Sequence, residues 1–178
     1  MTPYIALLYS VATALPDRRV AMADLRAMAA GLGFASPRTV ASTGNLIFET
    51  EEPEEAALTS RLEAAFARHF GLHVDILLRS AEEWRQLAAA NPFPEEAADD
   101  GASVHVRVMR TAPPLSVVED LRLRGVSGER LVLNGRDLWV HFPQEPNRSK
   151  LMPALTPKRL GVGTLRNANI VGRIAEIL

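Results

Sequence analysis

The sequence predicts an α+β fold made of two ferredoxin-like halves, with element orders β-α-β-β-α-β and then β-α-β-β-α-α. Three observations predict this class. Short apolar stretches of strand length alternate with longer stretches of helical periodicity. Each half has one glycine hairpin signal, at Gly44 in the first and Gly135 in the second. An acidic stretch poor in apolar residues, 94–101, separates the two halves.

The first half supplies a complete ferredoxin-like order. Its predicted elements are strand, helix, strand, strand, helix, strand and a further helix, at residues 4–9, 22–32, 38–42, 46–49, 53–70, 73–79 and 81–91. The first strand, YIALLY, is apolar on both faces, as is typical at the centre of a sheet. Gly71 is placed to end the second helix, and Ser80 with Glu83 has the spacing of a capping box before the third.

The second half is predicted to be a partial copy of the first. We expect a strand at 103–110, a short helix after Pro114, hairpin strands at 131–133 and 138–142, and two helical segments after them. The corresponding hairpins indicate two related halves, although no residue identity is visible. We therefore predict a subdomain over 1–93, a linker over 94–101, and a second subdomain with C-terminal helices over 102–178.

The N-terminal stretch, TPYIALLYSVATALP, resembles a secretory signal peptide, because an apolar run precedes the triplet Ala12-Thr13-Ala14. It lacks the positively charged region that comes before the apolar run of such a signal. We therefore interpret it as a buried first strand. No apolar run approaches the roughly 20 residues of a membrane-spanning helix, so we predict a cytoplasmic protein that does not enter a membrane.

The sequence contains few candidates for chemistry. It has no cysteine, which excludes disulfides, thiolate nucleophiles and cysteine metal sites. His69 and His73 have the spacing of a metal pair only if one helix continues through Gly71, which we do not expect. No HExxH, Walker or G-x-S-x-G motif is present. We predict no metal, cofactor or catalytic residue, and keep an enzyme of unassigned reaction as an alternative.

Positive charge is concentrated near the C-terminus. Residues 1–145 carry 14 basic and 20 acidic side chains, whereas residues 146–178 carry six basic and one acidic. The range 147–173, here called the basic segment, contains no acidic residue. It also contains both lysines of the chain, Lys150 and Lys158. Charge segregation of this kind is typical of a surface that meets an anionic partner.

The basic segment is predicted to contain two capped helix starts, in which Ser149 caps a helix from Lys150 and Thr156 precedes Pro157. Backbone N–H groups at such starts, together with nearby cations, bind phosphate. Our hypothesis is that a nucleotide or nucleic acid binds here through seven residues: Arg148, Ser149, Lys150, Lys158, Arg166, Asn167 and Asn169. The alternatives are an enzyme that uses the same pocket, or side chains that only coat solvated helix faces.

Strand alternation suggests a second candidate, on the face of the second sheet away from its helices. In 104–109 and 138–142, alternation assigns valines, Leu138 and Phe142 to the helix side. It leaves four side chains together on an open face: His105, Arg107, Trp139 and His141. RNA-recognition modules stack bases on such a face, although the RNP patterns are absent. The alternative is that the other half or a second subunit covers it, which would make the protein an interaction module or homodimer.

Seven short stretches carry a resemblance to a bacterial family, in family order and over nearly the whole chain. They are YIALL, MADLR, STGNLIF, RSAEE, NPF, RSKL and RNAN. On these the chain is identified as a member of the family called domain of unknown function 1697. The resemblance implies two α+β halves of ferredoxin-like character and no assigned activity. Two stretches depart from the family pattern: YSVATAL at 9–15 replaces an RGINVGG-type loop, and Ala168 replaces the tryptophan of RNWN.

Overall fold

The computed structural model describes residues 1–9, 20–52, 54–125 and 127–178. Over these ranges the chain forms two four-stranded antiparallel sheets and seven α-helices, which is the α+β class that the sequence predicts. The chain divides into a first unit, Met1–Gln86 with Ile174–Leu178, and a second unit, Leu87–Arg173. No helix within the described ranges is long and apolar enough to cross a membrane.

The elements follow one another along the chain in a simple order. They are β1 (Thr2–Leu8), α1 (Met22–Gly31), β2 (Ala35–Val40), β3 (Asn45–Thr50), α2 (Glu55–Phe70), β4 (Ile76–Ser80), α3 (Ala81–Ala89), α4 (Pro94–Asp99), β5 (Val104–Met109), α5 (Leu115–Arg124), β6 (Arg130–Asn134), β7 (Asp137–His141), α6 (Pro157–Leu160), β8 (Gly163–Asn167) and α7 (Ala168–Glu176). Two 3-10 turns, Pro146–Arg148 and Met152–Ala154, lie between β7 and α6.

In the first unit the strand order is β2-β3-β1-β4, so β1 lies in the interior of its sheet. Tyr4, Ala6 and Leu8 pack in a core with side chains of α1 and α2, while Ile5 and Leu7 on the other face are equally buried. The predicted central strand is therefore confirmed. Residues 10–16 of the stretch that resembles a signal peptide lie outside the described residues.

Two predicted helix boundaries of the first unit, the end of α2 and the start of α3, are also confirmed. Gly71 adopts the left-handed conformation, with φ 74°, directly after α2 ends at Phe70. The helix thus does not continue to His73. At the start of α3, the Ser80 N–H donates to the Glu83 carboxylate (2.8 Å) and the Glu83 N–H donates to Ser80 Oγ (3.2 Å). This reciprocal pair is the capping box that the spacing predicts.

The second unit has strand order β6-β7-β5-β8, and β8 is an element that the sequence interpretation missed. We expected only helices after β7, but residues 163–167 pair antiparallel with β5. A Cβ on Gly163 would lie 2.5 Å from Met109 Sδ and 2.9 Å from the Val108 carbonyl oxygen. This close approach explains why residue 163 is a glycine. Because glycine is unfavourable in strands, it also weakens the sequence signal for β8. The second unit therefore has the order β-α-β-β-α-β followed by α7.

The stretch that we interpreted as a linker, 94–101, contains α4. Pro94 occupies the first turn of this helix, and Glu95 and Glu96 follow it. Proline and acidic residues both suit a helix N-terminus, so the features that suggested a linker also suit a short helix. The division between the two units falls between Gln86 and Leu87, within α3.

The two sheets place similar residues at matching positions. The cross-strand neighbours are Ile47, Ile5 and Arg79 in the first sheet, and Trp139, Val106 and Arg166 in the second. Arg79 and Arg166 each donate from Nη1 to the carbonyl of the preceding residue, at 2.8 and 2.7 Å. Each is followed by a capping residue, Ser80 or Asn167, and then by a helix. The two halves therefore repeat a strand–arginine–cap–helix arrangement.

Candidate functional site

The backbone of the basic segment differs from the predicted pair of capped helices. No helix begins at Lys150; the 3-10 turns on either side of it replace that helix. Pro153 has no N–H to donate to the Ser149 carbonyl, which a helix from Lys150 would require. Ser149 Oγ instead accepts a hydrogen bond from the Leu151 N–H (3.1 Å) and donates to the Glu129 carboxylate. The second helix forms as a single turn, α6, which begins at Pro157.

Apolar side chains anchor the basic segment to the second unit. Leu151, Ala154, Leu155 and Leu160 are buried in a core with residues of β5, β7 and α5. In contrast, all four basic side chains of residues 148–160 are exposed: Arg148, Lys150, Lys158 and Arg159. The segment therefore presents its cations from a backbone that is held in place on its apolar side.

Arg166 is not part of this exposed group. It is only 7% exposed, and its Nη1 donates to Thr164 Oγ1 (2.8 Å) and to the Leu165 carbonyl (2.7 Å). Arg166 pairs with Val106 across the strands, so the two side chains share one face of the sheet. The leucines of the basic segment are buried against the other face. Burial lowers the pKa of Arg166 to about 10, so the guanidinium remains charged at neutral pH.

The two asparagines of the predicted site have local structural roles. Asn167 Oδ1 accepts the Ile170 N–H (3.0 Å), which caps α7. The Asn169 side chain lies against Gly101, where a Cβ would be 2.2 Å from Asn169 Oδ1. The predicted seven-residue set therefore separates into exposed cations, Ser149 bound to Glu129, and residues that organise β8 and α7.

The expected open face of the second sheet does not form. His105 pairs with Val140 and Arg107 with Leu138, whereas Trp139 pairs with Val106 and His141 with Val104. Directly opposite residues of an antiparallel pair share a face, so the four predicted side chains divide between the two faces. Arg107 is 2% exposed and Trp139 1%. Alternation failed for β5 because both of its faces are buried, which leaves no apolar contrast between them.

His105 and Arg107 lie on the helix-covered face. The His105 ring meets Phe142 edge-on, with 5.5 Å between ring centroids, and its Nδ1 has no hydrogen-bond partner. Burial lowers the pKa of His105 to about 4 against the opposing attraction of Asp100, so the imidazole is neutral at pH 7. Arg107 Nη2 donates to the Gly161 carbonyl (3.2 Å), which fixes the chain just after α6.

His141, on the other face, belongs to a small cluster that sequence reasoning missed. The Arg130 guanidinium lies 4.8 Å from the centroid of the Phe93 ring and forms an ion pair with Glu96. His141 Nδ1 is 3.4 Å from Arg130 Nη2, and its ring centroid is 5.9 Å from that of Phe93. These contacts join α4 to β6 and β7. Within the described ranges, no three histidine or carboxylate side chains group closely enough to hold a metal ion.

Two further basic residues that sequence reasoning missed lie near the end of α6. The Arg110 N–H donates to the Val162 carbonyl (2.9 Å), two residues after α6 ends at Leu160. Arg136, in the β6–β7 turn, places Nη1 3.5 Å from the Arg110 carbonyl oxygen. Both residues lie outside the basic segment in the sequence. Their proximity to α6 could have been predicted only by predicting β8 and its pairing with β5.

Residues 1–139 match the family model described as Protein of unknown function (DUF1697). The chain belongs to this family. The whole chain also superposes on 98% of a conserved bacterial protein, SP0830 from Streptococcus pneumoniae, with a TM-score of 0.77 and 22% sequence identity. At that identity the likeness shows the fold alone. A comparison with curated proteins gives no match.

The DUF1697 match ends before the basic segment begins. Within it, the STGNLIF stretch has a structural role: the buried Asn45 side chain donates to the Val40 carbonyl (2.8 Å) and to Thr43 Oγ1 (3.0 Å), which closes the β2–β3 hairpin. Of the stretch that replaces the family's RGINVGG-type loop, residues 10–15 lie outside the described residues. Ala168, in place of a tryptophan, begins α7.

Proposed function

We propose that the protein binds a phosphate-bearing ligand, a nucleotide or nucleic acid, through the exposed cations of the basic segment. One observation carries the proposal. Arg148, Lys150, Lys158 and Arg159 are exposed on a stretch that contains no acidic residue and is anchored by buried leucines. Because the anchoring restricts the backbone, less conformational freedom is lost when the side chains meet phosphate than in a disordered tail.

The cations do not contribute equally to this proposal. Arg148 is within 3.3 Å of the Glu145 carboxylate, and both side chains are 76% exposed. An exposed pair of this kind is weak, so phosphate can compete for Arg148. Lys150 and Lys158 have no ion pair among the described salt bridges and are the stronger candidates.

Ser149 is excluded from the proposed contacts by its environment. Its hydroxyl donates to Glu129. Partial burial opposes ionisation of Glu129, but hydrogen bonds from Ser149 and from backbone N–H groups outweigh it and lower the pKa. The carboxylate is therefore ionised at neutral pH and repels an incoming phosphate at this point. Binding must occur through the cations on either side.

The test is fluorescence anisotropy of a labelled single-stranded oligonucleotide, titrated with the protein between about 50 and 200 mM salt. We expect binding that weakens as salt rises. In a Lys150→Gln, Lys158→Gln variant, the slope of log affinity against log salt should be smaller by roughly 1.4, or about 0.7 per lost contact with a single strand. ATP is tested as a competitor to separate nucleotide from polymer. Unchanged anisotropy of the oligonucleotide, with no ATP binding by calorimetry at the lowest salt, would disprove the proposal.

A further inference from the structure

We propose that the phosphate-binding surface is composite: Arg110 and Arg136 extend the basic segment at the end of α6, and the joint surface holds the phosphodiester backbone of nucleic acid without reading its bases. This inference rests on the proposed function and specifies the residues and ligand class of the same site.

The pairing of β5 with β8 brings the two groups of cations together. Arg110 directly follows β5, and its N–H donates to the Val162 carbonyl (2.9 Å) at the entry to β8. Val162 is three residues after Arg159, a separation that spans at most about 11 Å of fully extended chain. Arg159 and Arg110 are therefore neighbours in the fold although 49 positions separate them in the sequence.

The chain between α6 and β8 is held on both sides. The Gly161 N–H donates to the Pro157 carbonyl (2.8 Å), and the Gly161 carbonyl accepts from Arg107 Nη2 (3.2 Å). Gly161 has φ 88° and ψ −179°, a conformation that strongly favours glycine. The conformation of Gly161 and its two hydrogen bonds fix the backbone of Lys158 and Arg159 relative to the start of β8.

Arg136 joins the surface from the β6–β7 turn. Its Nη1 lies 3.5 Å from the Arg110 carbonyl oxygen, so the turn and the end of β5 are in contact. The adjacent acid, Asp137, is 9% exposed, and its Oδ1 accepts the Met109 N–H (2.7 Å). The Asp137 carboxylate therefore holds the end of β5 through the Met109 N–H.

The distribution of aromatic side chains indicates how a nucleic acid would be recognised. All ten tyrosine, tryptophan and phenylalanine residues lie in the described part of the chain; eight are buried and two, Tyr9 and Phe70, are partly buried. Stacking of bases on a protein requires an exposed ring. The predicted stacking residue Trp139 is 1% exposed. Recognition is therefore assigned to the phosphate backbone.

Arg110, Lys158 and Arg159 are exposed and Arg136 is partly buried. The exposure of most of these cations favours a polymer over a mononucleotide. Each exposed cation contributes little by itself because solvent and salt screen it. A nucleic acid places successive phosphates against several cations and releases a counterion at each contact. A mononucleotide neutralises fewer cations and gains correspondingly less. We therefore expect affinity to rise with oligonucleotide length and not to depend on base sequence.

The experiment compares two double variants of the full chain with a control of equal charge change. Arg110→Gln with Arg136→Gln tests the added residues, and Lys158→Gln with Arg159→Gln tests the segment. Arg68→Gln with Arg124→Gln, two exposed arginines of α2 and α5, is the control. Each is titrated with labelled oligo-dT, oligo-dA and ATP over a range of salt. Circular dichroism checks folding, and Arg110→Lys with Arg136→Lys restores the charge.

We expect both test variants to bind about tenfold or more weakly at low salt, the control to bind like the original chain, and the lysine variant to recover most of the affinity. If the Arg110, Arg136 variant binds normally while the Lys158, Arg159 variant is weakened, the composite surface is wrong and the proposed function stands. If the lysine variant is as weak as the glutamine variant, charge is not the cause and the inference fails. Preference for ATP or for one base overturns backbone recognition, and absence of all binding overturns the proposed function.

Discussion

Val106 on β5 and Trp139 on β7 are direct cross-strand partners, so their side chains lie on the same face of the second sheet. Alternation in the sequence had assigned them to opposite faces. Both are buried, at 0% and 1% exposure, and hydrophobicity therefore gives no information about the face to which each belongs. The hydrogen-bond register decides this, and it removes the open aromatic face from consideration.

His105 should make the fold sensitive to acid. Its pKa is about 4 in the folded protein against an ordinary 6.5, so the unfolded chain binds a proton first as the pH falls. The contribution of neutral His105 to the free energy of unfolding is complete above pH 6.5 and is lost as the pH falls from about 6.5 to 4. The total loss is about 3 kcal/mol. Urea unfolding at several pH values should show a His105→Gln variant losing less stability over this interval. An exposed histidine, His73→Gln, is the control; parallel curves for the original chain and His105→Gln would contradict the assignment.

Gly163→Ala should destabilise the second unit by about 1–3 kcal/mol, because the new methyl group meets the Val108 carbonyl and Met109 Sδ. The backbone carbonyl cannot move aside as a flexible side chain can. Gly172→Ala is the matched control. Apart from its chain neighbours and the backbone of α7, no atom lies within 4 Å of the added Cβ, and the substitution should raise stability by up to about 1 kcal/mol. Both are measured by urea unfolding. Equal effects of the two substitutions would show that the packing at Gly163 is looser than described.

Thr164 and Arg166 should be energetically coupled. Thr164 Oγ1 accepts from the buried guanidinium at 2.8 Å, and hydrogen bonds to charged groups contribute about 1.5–3 kcal/mol. Thr164→Val should therefore lower the free energy of unfolding by about this amount. The same substitution should cost much less when Arg166 is already Met, which a double-mutant cycle measures. Additive effects of the two substitutions would mean that the hydrogen bond contributes nothing.

Substitutions at Asn167 and Lys150 should affect different properties, stability in the first case and ligand binding in the second. Asn167→Ala removes the cap of α7 and should cost about 1 kcal/mol of unfolding free energy without changing oligonucleotide affinity. Lys150→Gln, at an exposed position, should leave stability within about 0.5 kcal/mol and weaken oligonucleotide binding. Chemical unfolding and anisotropy on the same two variants give both readings. If Asn167→Ala lost oligonucleotide affinity but kept normal stability, Asn167 would be a ligand contact, as the sequence hypothesis proposed.

The elements that could be predicted are those with a local signal. The apolar run of β1, the glycine that ends α2 and the Ser80–Glu83 capping box all depend on residues close in sequence, and the structure agrees with each. β8 has no such signal. It contains Gly163 and a single aliphatic side chain, Leu165, and it is a strand because β5 supplies its hydrogen-bond partners.

The sequence by itself determined the fold class, the position of the first sheet's core strand and the concentration of cations after residue 145, because hydrophobic periodicity, capping and charge are properties of neighbouring residues. Only the tertiary structure decided which cations lie together. It buried Arg166 on one sheet face, bound Ser149 to Glu129, and placed Arg110 beside the end of α6. These relationships depend on strand register between distant segments, and a one-residue change of register moves a side chain to the other face.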